Sequence, residues 1–487
     1  MMNMENPIPA LRPLSEADAR CVRQSFAQSR LWFLHQLEPG RAQHNILVRM
    51  VLQGPALQAE RLKHALDALC LRHPVLRACY RTTQSGPEQC QTERQSIPLE
   101  QHDLKGLSSE NRNRALQGLL HTQQNTPFDL ENGPMMRACL LDLDVAAQEL
   151  IIVIHHIAFD GRSGEILLQD LAHYYATQEP GAPAPGSLQY ADFAAWEPLY
   201  ITPQRIESEI AFWRDHLAGM PLQLEFARRV RSEGPAQGGR YAFVIPAARV
   251  ERLKQTSRRL RLPLFVTLTG LFQAWLHYLS GQHRFLIGTD VHGRDLPALQ
   301  DIFGFFVNQL TLKCELDDDL SLGELLIRTR QTIREAHAHR QLPFDLLVSQ
   351  LAPQRKTDRS PLFQAKFNYQ RDRFSIDGLG EARLVHTQVI QDLAGFDLVL
   401  DLMHRNTSIE ATLEYDRRLF SADEIERFAS FWQSLLDQVD DLLERSISEL
   451  RARLRGWDDT YLQQQQHAHH DQGRARLGNT QRRAISL

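Results

Sequence analysis

At 487 residues, with 43% hydrophobic and 23% charged side chains, the chain has the balance of a globular protein and enough length for two cores of roughly 200 residues each. Its 55 basic and 59 acidic side chains leave no electrostatic footprint for nucleic acid or an anionic membrane as partner. The longest purely aliphatic stretch, Leu150 to Ile154, is far short of the ~20 residues a membrane-spanning helix needs, and without a basic start leading into an apolar segment the N-terminus points to the cytoplasm.

In chain order, a helix is predicted over Ala56–His73, where Leu62, Leu66 and Leu69 share a face. Pro74 ends it, and Val75–Tyr80 reads as a strand. Met135–Leu143 and Glu149–His156 are apolar strands joined by a short polar link, so they should pair antiparallel. A helix follows, with Leu167, Leu171, Tyr174 and Tyr175 on one face. Glu179–Ser187 is rich in proline and glycine and cannot be regular structure; the passage between two lobes is placed there or near Trp196. Beyond it come a strand at Arg240–Pro246, a helix through Val250–Leu260, a buried helix at Leu264–Ser280 stopped by Gly281, and a strand at Arg284–Val291. The charged helix Leu322–Arg340, strands within Pro361–Gln370 and Phe396–Met403, and a helix from Ala422 through Leu443 complete the second lobe. From Trp457 onward the chain is polar, with four consecutive glutamines and a histidine-rich patch, and is expected to be disordered. Cys21, Cys70, Cys79, Cys90, Cys139 and Cys314 form no C-x-x-C pair and read as reduced, mostly packed thiols.

The segment most suggestive of chemistry is HHIAFDG, His155 to Gly161, at the end of an aliphatic run. Adjacent residues of a strand point to opposite faces, so His155 and His156 cannot easily hold one metal ion together, and no metal is expected. One histidine must face the sheet or the neighbouring lobe. The other is free to face a cavity, at a strand-to-helix mouth that suits a general base. Asp160 could pin an arginine or orient the loop, and Gly161 lets a backbone N–H approach a substrate closely. A second reading fits equally: both histidines are packed core residues and Asp160 is a helix cap.

HHIAFDG resembles the HHxxxDG signature of peptide-synthetase condensation domains and of the wider chloramphenicol-acetyltransferase-like superfamily. Further segments match that family in order: SFAQSRLWFL from Ser25 with QLEPG after it, RHPVLRACY from Arg72, YADFAAW from Tyr190, GRDLPALQDIFGFFVNQLTL from Gly293, QLPFDLL from Gln341, DRSPLFQAKFNYQ from Asp358, then GFDLVLDL and LEYDRRLF. The resemblance covers about Ser25 to Leu443. It implies an α/β fold of two acetyltransferase-like lobes in a V-shaped pseudo-dimer around a central tunnel. The lobes are expected at 25–197 and 198–456, between an N-terminal extension at 1–24 and a tail at 457–487. It also implies joining of a carrier-bound acyl thioester to an amine or hydroxyl acceptor. The partners are then acyl or peptidyl carrier proteins whose phosphopantetheine arms bring the substrates, together with a small-molecule amine or alcohol; no covalently bound cofactor is expected, and the chain should be a monomer.

Carried over residue by residue, His156 projects into the tunnel and the Gly161 N–H meets the developing oxyanion. His155 and a pair between Asp160 and Arg294 are structural, and Arg162, Ser163 and Asn368 are possible tunnel residues. Two departures stand out: Arg162 replaces the usual aromatic after the motif, and Pro74 replaces a glutamate. Among relatives of the fold, the second-lobe text TDVHGRD lacks the EGHGRE of epimerisation domains, the histidines are not the aspartates of cyclisation domains, and DFGWG of the plant-type enzymes is absent. Terminal cyclising domains, a starter-type domain that N-acylates a first residue, and a non-catalytic carrier-docking module remain as alternatives. With no carrier serine motif present, a free-standing domain fed in trans is expected.

Overall fold

The computed structural model describes residues 8–93, 96–226, 238–352, 359–371, 376–391 and 395–463. Two six-stranded mixed sheets organise it. The first runs Gly378–Leu379, Ala382–Gln391, Asn45–Gln53, Ala147–His155, Met136–Asp144, Leu99–Asp103. The second runs Asn308–Glu315, Arg284–Val291, Ala365–Arg371, Leu398–Arg405, Ser408–Asp416, Gly238–Ile245.

Ala147–His155 lies deep in the first sheet, buried along almost its whole length, which is why it reads as a continuous aliphatic run. It pairs antiparallel with Met136–Asp144 on one side and with Asn45–Gln53 on the other, where Asn45 faces His155. Helices Ala59–Arg72 and Gly161–Thr177 pack together on this lobe's core. In the second lobe Leu264–Ser280 is buried nearly throughout and ends at Gly281, whose φ of 72° is one that glycine adopts without strain. It packs against Leu322–Ala338 and Ala422–Asp437. No single helix among the described residues is long and apolar enough to cross a membrane.

Four features depart from the sequence expectations. The lobes are not contiguous in sequence: Arg383–Gln391, far into the second half, pairs antiparallel with Ile46–Gln53 and extends the first sheet. Leu299, Ile302, Phe303, Phe305 and Phe306 likewise belong to the first core. Residues 447–463 form a helix that carries the chain past Trp457, because Leu450, Leu454, Trp457 and Tyr461 recur at helical spacing and pack on the second core; 464–487 lie outside the described residues. Pro74–Arg77 is a 3-10 turn with proline at its first position, so the strand begins only at Ala78. Cys21 and Cys90, expected as thiols, are joined as a disulfide. They stand directly opposite in the small sheet formed by Cys21–Arg23, Gly86–Gln91 and Ala78–Thr83, a pairing 69 residues apart in sequence that spacing alone does not reveal.

Candidate active site

The strand Ala147–His155 stops at its last histidine, and His156 opens a one-turn 3-10 helix. That turn separates the two side chains. His155 is buried, its Nδ1 accepting from the Ile157 N–H at 3.1 Å, its ring edge-on to His35, His44 and Phe128. Burial, reinforced by the neighbouring histidines, holds its pKa well below the ordinary value, so it is a neutral packing residue.

His156 is the more accessible of the pair. Its Nδ1 lies 2.6 Å from the Phe159 carbonyl, which can only accept, so Nδ1 carries the proton and Nε2 keeps its lone pair. Burial lowers the pKa of His156; the Phe159 contact and the fields of Asp290 and Asp160 oppose that shift, and Lys366 adds to it. The outcome at neutral pH is an unprotonated imidazole, the state a general base requires. The Phe305 ring packs against it, 4.5 Å between centroids.

Asp160 caps the helix Gly161–Thr177 through the Ser163 N–H at 2.8 Å. It also binds Arg294, with guanidinium contacts at 2.9, 3.1 and 3.3 Å, and the Phe306 N–H at 3.2 Å. Both side chains are 2% exposed, so this is a desolvated, multiply hydrogen-bonded pair tying the motif to the Gly293–Phe306 segment. Arg294 completes its fork on the Leu299 and Ile302 carbonyls and lies over the Phe306 ring at 4.0 Å. The cap and arginine-pin readings of Asp160 are therefore both met by one carboxylate.

Gly161 opens the helix, where a backbone N–H has no intrahelical acceptor. A Cβ there would sit 3.3 Å from the Gln370 side-chain oxygen of the second lobe. Ser163 does not face a cavity: it is fully buried, bonded to Asp160 and to both the N–H and the carbonyl of Gly304. Arg162 is committed to Glu165, Asp301 and the Gln300 carbonyl, which uses its guanidinium in holding the 300–301 loop. Asn368 is 5% exposed and accepts from the Asp290 N–H at 3.3 Å.

Residues outside the sequence-derived set complete the site. Tyr190, fully enclosed, donates to the Phe305 carbonyl and contacts the Ser25 hydroxyl at 2.8 Å, fixing the backbone that holds Phe305 over His156. A Cβ on Gly304 would fall 1.9 Å from the Tyr190 ring, so only glycine fits there. An open groove reaches Phe305; Phe26, Trp196 and Phe344 give it aromatic walls, and Glu197, buried and pushed up to about 7, is among its lining residues. Two groups of possible metal ligands among the described residues, Glu100–His102–Cys139 and His277–His283–Asp318, include neither motif histidine.

A family model described as Condensation domain matches residues 19–453. The chain belongs to the condensation-domain family. It is 36% identical over 430 residues to phosphinothricin tripeptide synthetase PhsC of Streptomyces viridochromogenes, covering 86% of this chain and 39% of that one. With malpibaldin synthetase of Mortierella alpina it shares 32% over 419 residues, 85% of this chain and 8% of that one. The condensation domain thus spans well under half the length of these relatives. Among solved structures, a four-domain nonribosomal peptide synthetase bound to AMP and glycine superposes with a TM-score of 0.79 at 21% identity, over 92% of this chain and 34% of that one. The X-domain from teicoplanin biosynthesis gives 0.78 at 25% identity, over 90% and 99%. The fold is accordingly the two-lobed acetyltransferase-like pseudo-dimer of condensation domains.

Proposed function

We propose that this condensation domain transfers an acyl group from the thioester of a phosphopantetheine-bearing carrier protein to an amine or hydroxyl acceptor, forming an amide or ester. The observation that carries the reading is the state of His156: neutral, its Nδ1–H given to the Phe159 carbonyl, Nε2 free at the junction of the lobes. As the acceptor nitrogen or oxygen attacks the thioester carbon, His156 Nε2 takes its proton, or that of the adduct. The carbonyl oxygen becomes an oxyanion, for which the Gly161 N–H is the proposed donor. Collapse breaks the C–S bond and returns the pantetheine thiol, with His156 the source of its proton. Asp160 and Arg294 do no chemistry in this scheme; they hold the loop that carries His156. Placing both reactants beside His156 supplies much of the acceleration through proximity. The domain is read as a cytoplasmic monomer acting on acyl groups held by carrier proteins.

Intact-protein mass spectrometry tests it. A carrier loaded with its acyl group should be unloaded onto an amine or alcohol by wild-type protein and not by His156→Ala. Carrier binding without unloading by either protein overturns the catalytic reading in favour of a docking module. The X-domain structure solved in complex with OxyB is a precedent for a protein of this fold bound to a partner.

A further inference from the structure

The second sheet has one apolar and one polar face. Phe285, Ile287, Phe367, Leu400 and Leu402 point into the second core. The alternate residues are in register across neighbouring strands: Lys366 stands beside Gly288 and Val399, and Asn368 beside Asp401, which pairs with Thr412. This polar face borders the catalytic motif, since Gln370, two residues beyond Asn368 on the same face, reaches the Gly161 position. Asp290 and Lys366 are close enough that their fields act on His156 in opposite senses.

Three charged groups meet on this wall. The Lys366 ammonium, only 4% exposed, lies 2.8 Å from Asp290 Oδ1 and 5.3 Å from the centre of the Phe396 ring. Its charge is thereby matched locally. Asp401 feels both partners of that pair, and burial with Asp290 beside it pushes its carboxyl up to about 6. Its Oδ1 is enclosed and receives no hydrogen bond. Arg240 also acts on Asp401, but it is exposed and its contact is to the Thr412 hydroxyl at 3.4 Å. Only Lys366 is fully buried, Asp290 being 26% exposed, so the trio sets two carboxylates against one ammonium, and the Asp401 Oδ1 lacks a hydrogen-bond donor. An enclosed acceptor without a donor is costly to leave unmet, and its complement is a cation bearing N–H groups.

We propose that Asp401, supported by the Asp290–Lys366 pair, is a recognition subsite for an ammonium group on the substrate that lies across from His156. The inference rests on the condensation reading and narrows its substrate class to one with a cationic amine beyond the reacting centre. No member of the trio takes part in bond making.

Equilibrium binding separates this from the reaction itself. Pantetheine amides of lysine, Nε-acetyllysine, norleucine and glutamate are titrated calorimetrically into the full chain with no acyl donor present, so nothing turns over. The lysyl compound should bind at least about tenfold more tightly than the norleucyl and acetyllysyl compounds, about 1.4 kcal/mol, with the glutamyl compound weakest. In Asp401→Asn the lysyl-to-norleucyl ratio should fall to near one. In Lys366→Gln, which leaves the carboxylates unopposed, the ratio should rise, and melting curves establish that both variants are folded. Equal affinities in wild type, a glutamyl preference, or a ratio that survives Asp401→Asn overturns the proposal. Absence of carrier unloading in the mass-spectrometric assay would defeat the condensation reading while leaving this binding order to stand or fall alone.

Discussion

At the residue scale, the motif divides labour by direction. His155 turns into the sheet and loses its basicity to burial, while His156, one peptide later, is held by Phe159 with Nε2 free. Because the folded pKa of His156 is lowered, the neutral base persists below the range of an ordinary histidine. The acid limb of kcat/KM should therefore fall below about pH 6.5, not above it. His156→Ala should lower turnover by about 10²–10⁴-fold, with an unchanged melting temperature, and should abolish that limb; a wild-type limb above the ordinary histidine range would contradict the assignment. Asp160 and Arg294 behave oppositely. Removing either side chain strands its partner in a water-free site, at a cost of about 3–5 kcal/mol, so Asp160→Ala and Arg294→Ala should lose activity through lost stability, read as a lower urea midpoint. Arg294→Lys should rescue little, since one ammonium cannot span Asp160 and the Leu299 and Ile302 carbonyls together.

At the scale of elements, the site depends on a segment with no regular structure. Gly304 and Phe305 are positioned by Tyr190, the first residue of helix Tyr190–Tyr200, through a hydrogen bond to the Phe305 carbonyl and a ring packed where a Gly304 side chain would be. Tyr190→Phe leaves that carbonyl without its donor, an unmet group worth about 1–3 kcal/mol. It should lower kcat more than it raises KM for the carrier, because Phe305 loses its fixed place over His156 while docking surfaces are untouched; a pure KM effect would refute this. These couplings mark the limit of what the sequence makes legible. Elements with strong periodicity, such as Ala147–His155 and Leu264–Ser280, are readable because 2-residue and 3.6-residue patterns are local properties. His156 and Asp160 stand out because their spacing is local too. The Tyr190 bond to Phe305 and the Cys21–Cys90 bridge join positions 115 and 69 residues apart, and Lys366 meets Asp290 between strands whose register no periodicity encodes. Position after the motif suggests a tunnel wall for Ser163 and Arg162, yet each is consumed by contacts with the Gly304 and Gln300–Asp301 backbone regions that only folding brings near.

At the scale of the molecule, the two lobes are not independent folding units, even though their cores are separate. Strand Asn45–Gln53 has Ala147–His155 on one side, and on the other it is covered by Arg383–Gln391, which arrives from the second half of the chain. Without that strand the first sheet would end in a long, apolar open edge, the arrangement most prone to pairing with other chains. The first core would also lose Leu299, Ile302, Phe303, Phe305 and Phe306, and Asp160 would lose Arg294. A fragment of residues 1–226 expressed alone should therefore aggregate, whereas a contiguous-lobe arrangement would let it fold as a soluble monomer. Co-expression with residues 227–487 supplies the missing strand, aromatic segment and arginine in trans, and should recover a soluble complex. Within that complex Asp160→Ala should weaken association of the fragments, since the Asp160–Arg294 pair then spans two chains, and sedimentation of the paired fragments reads the difference directly.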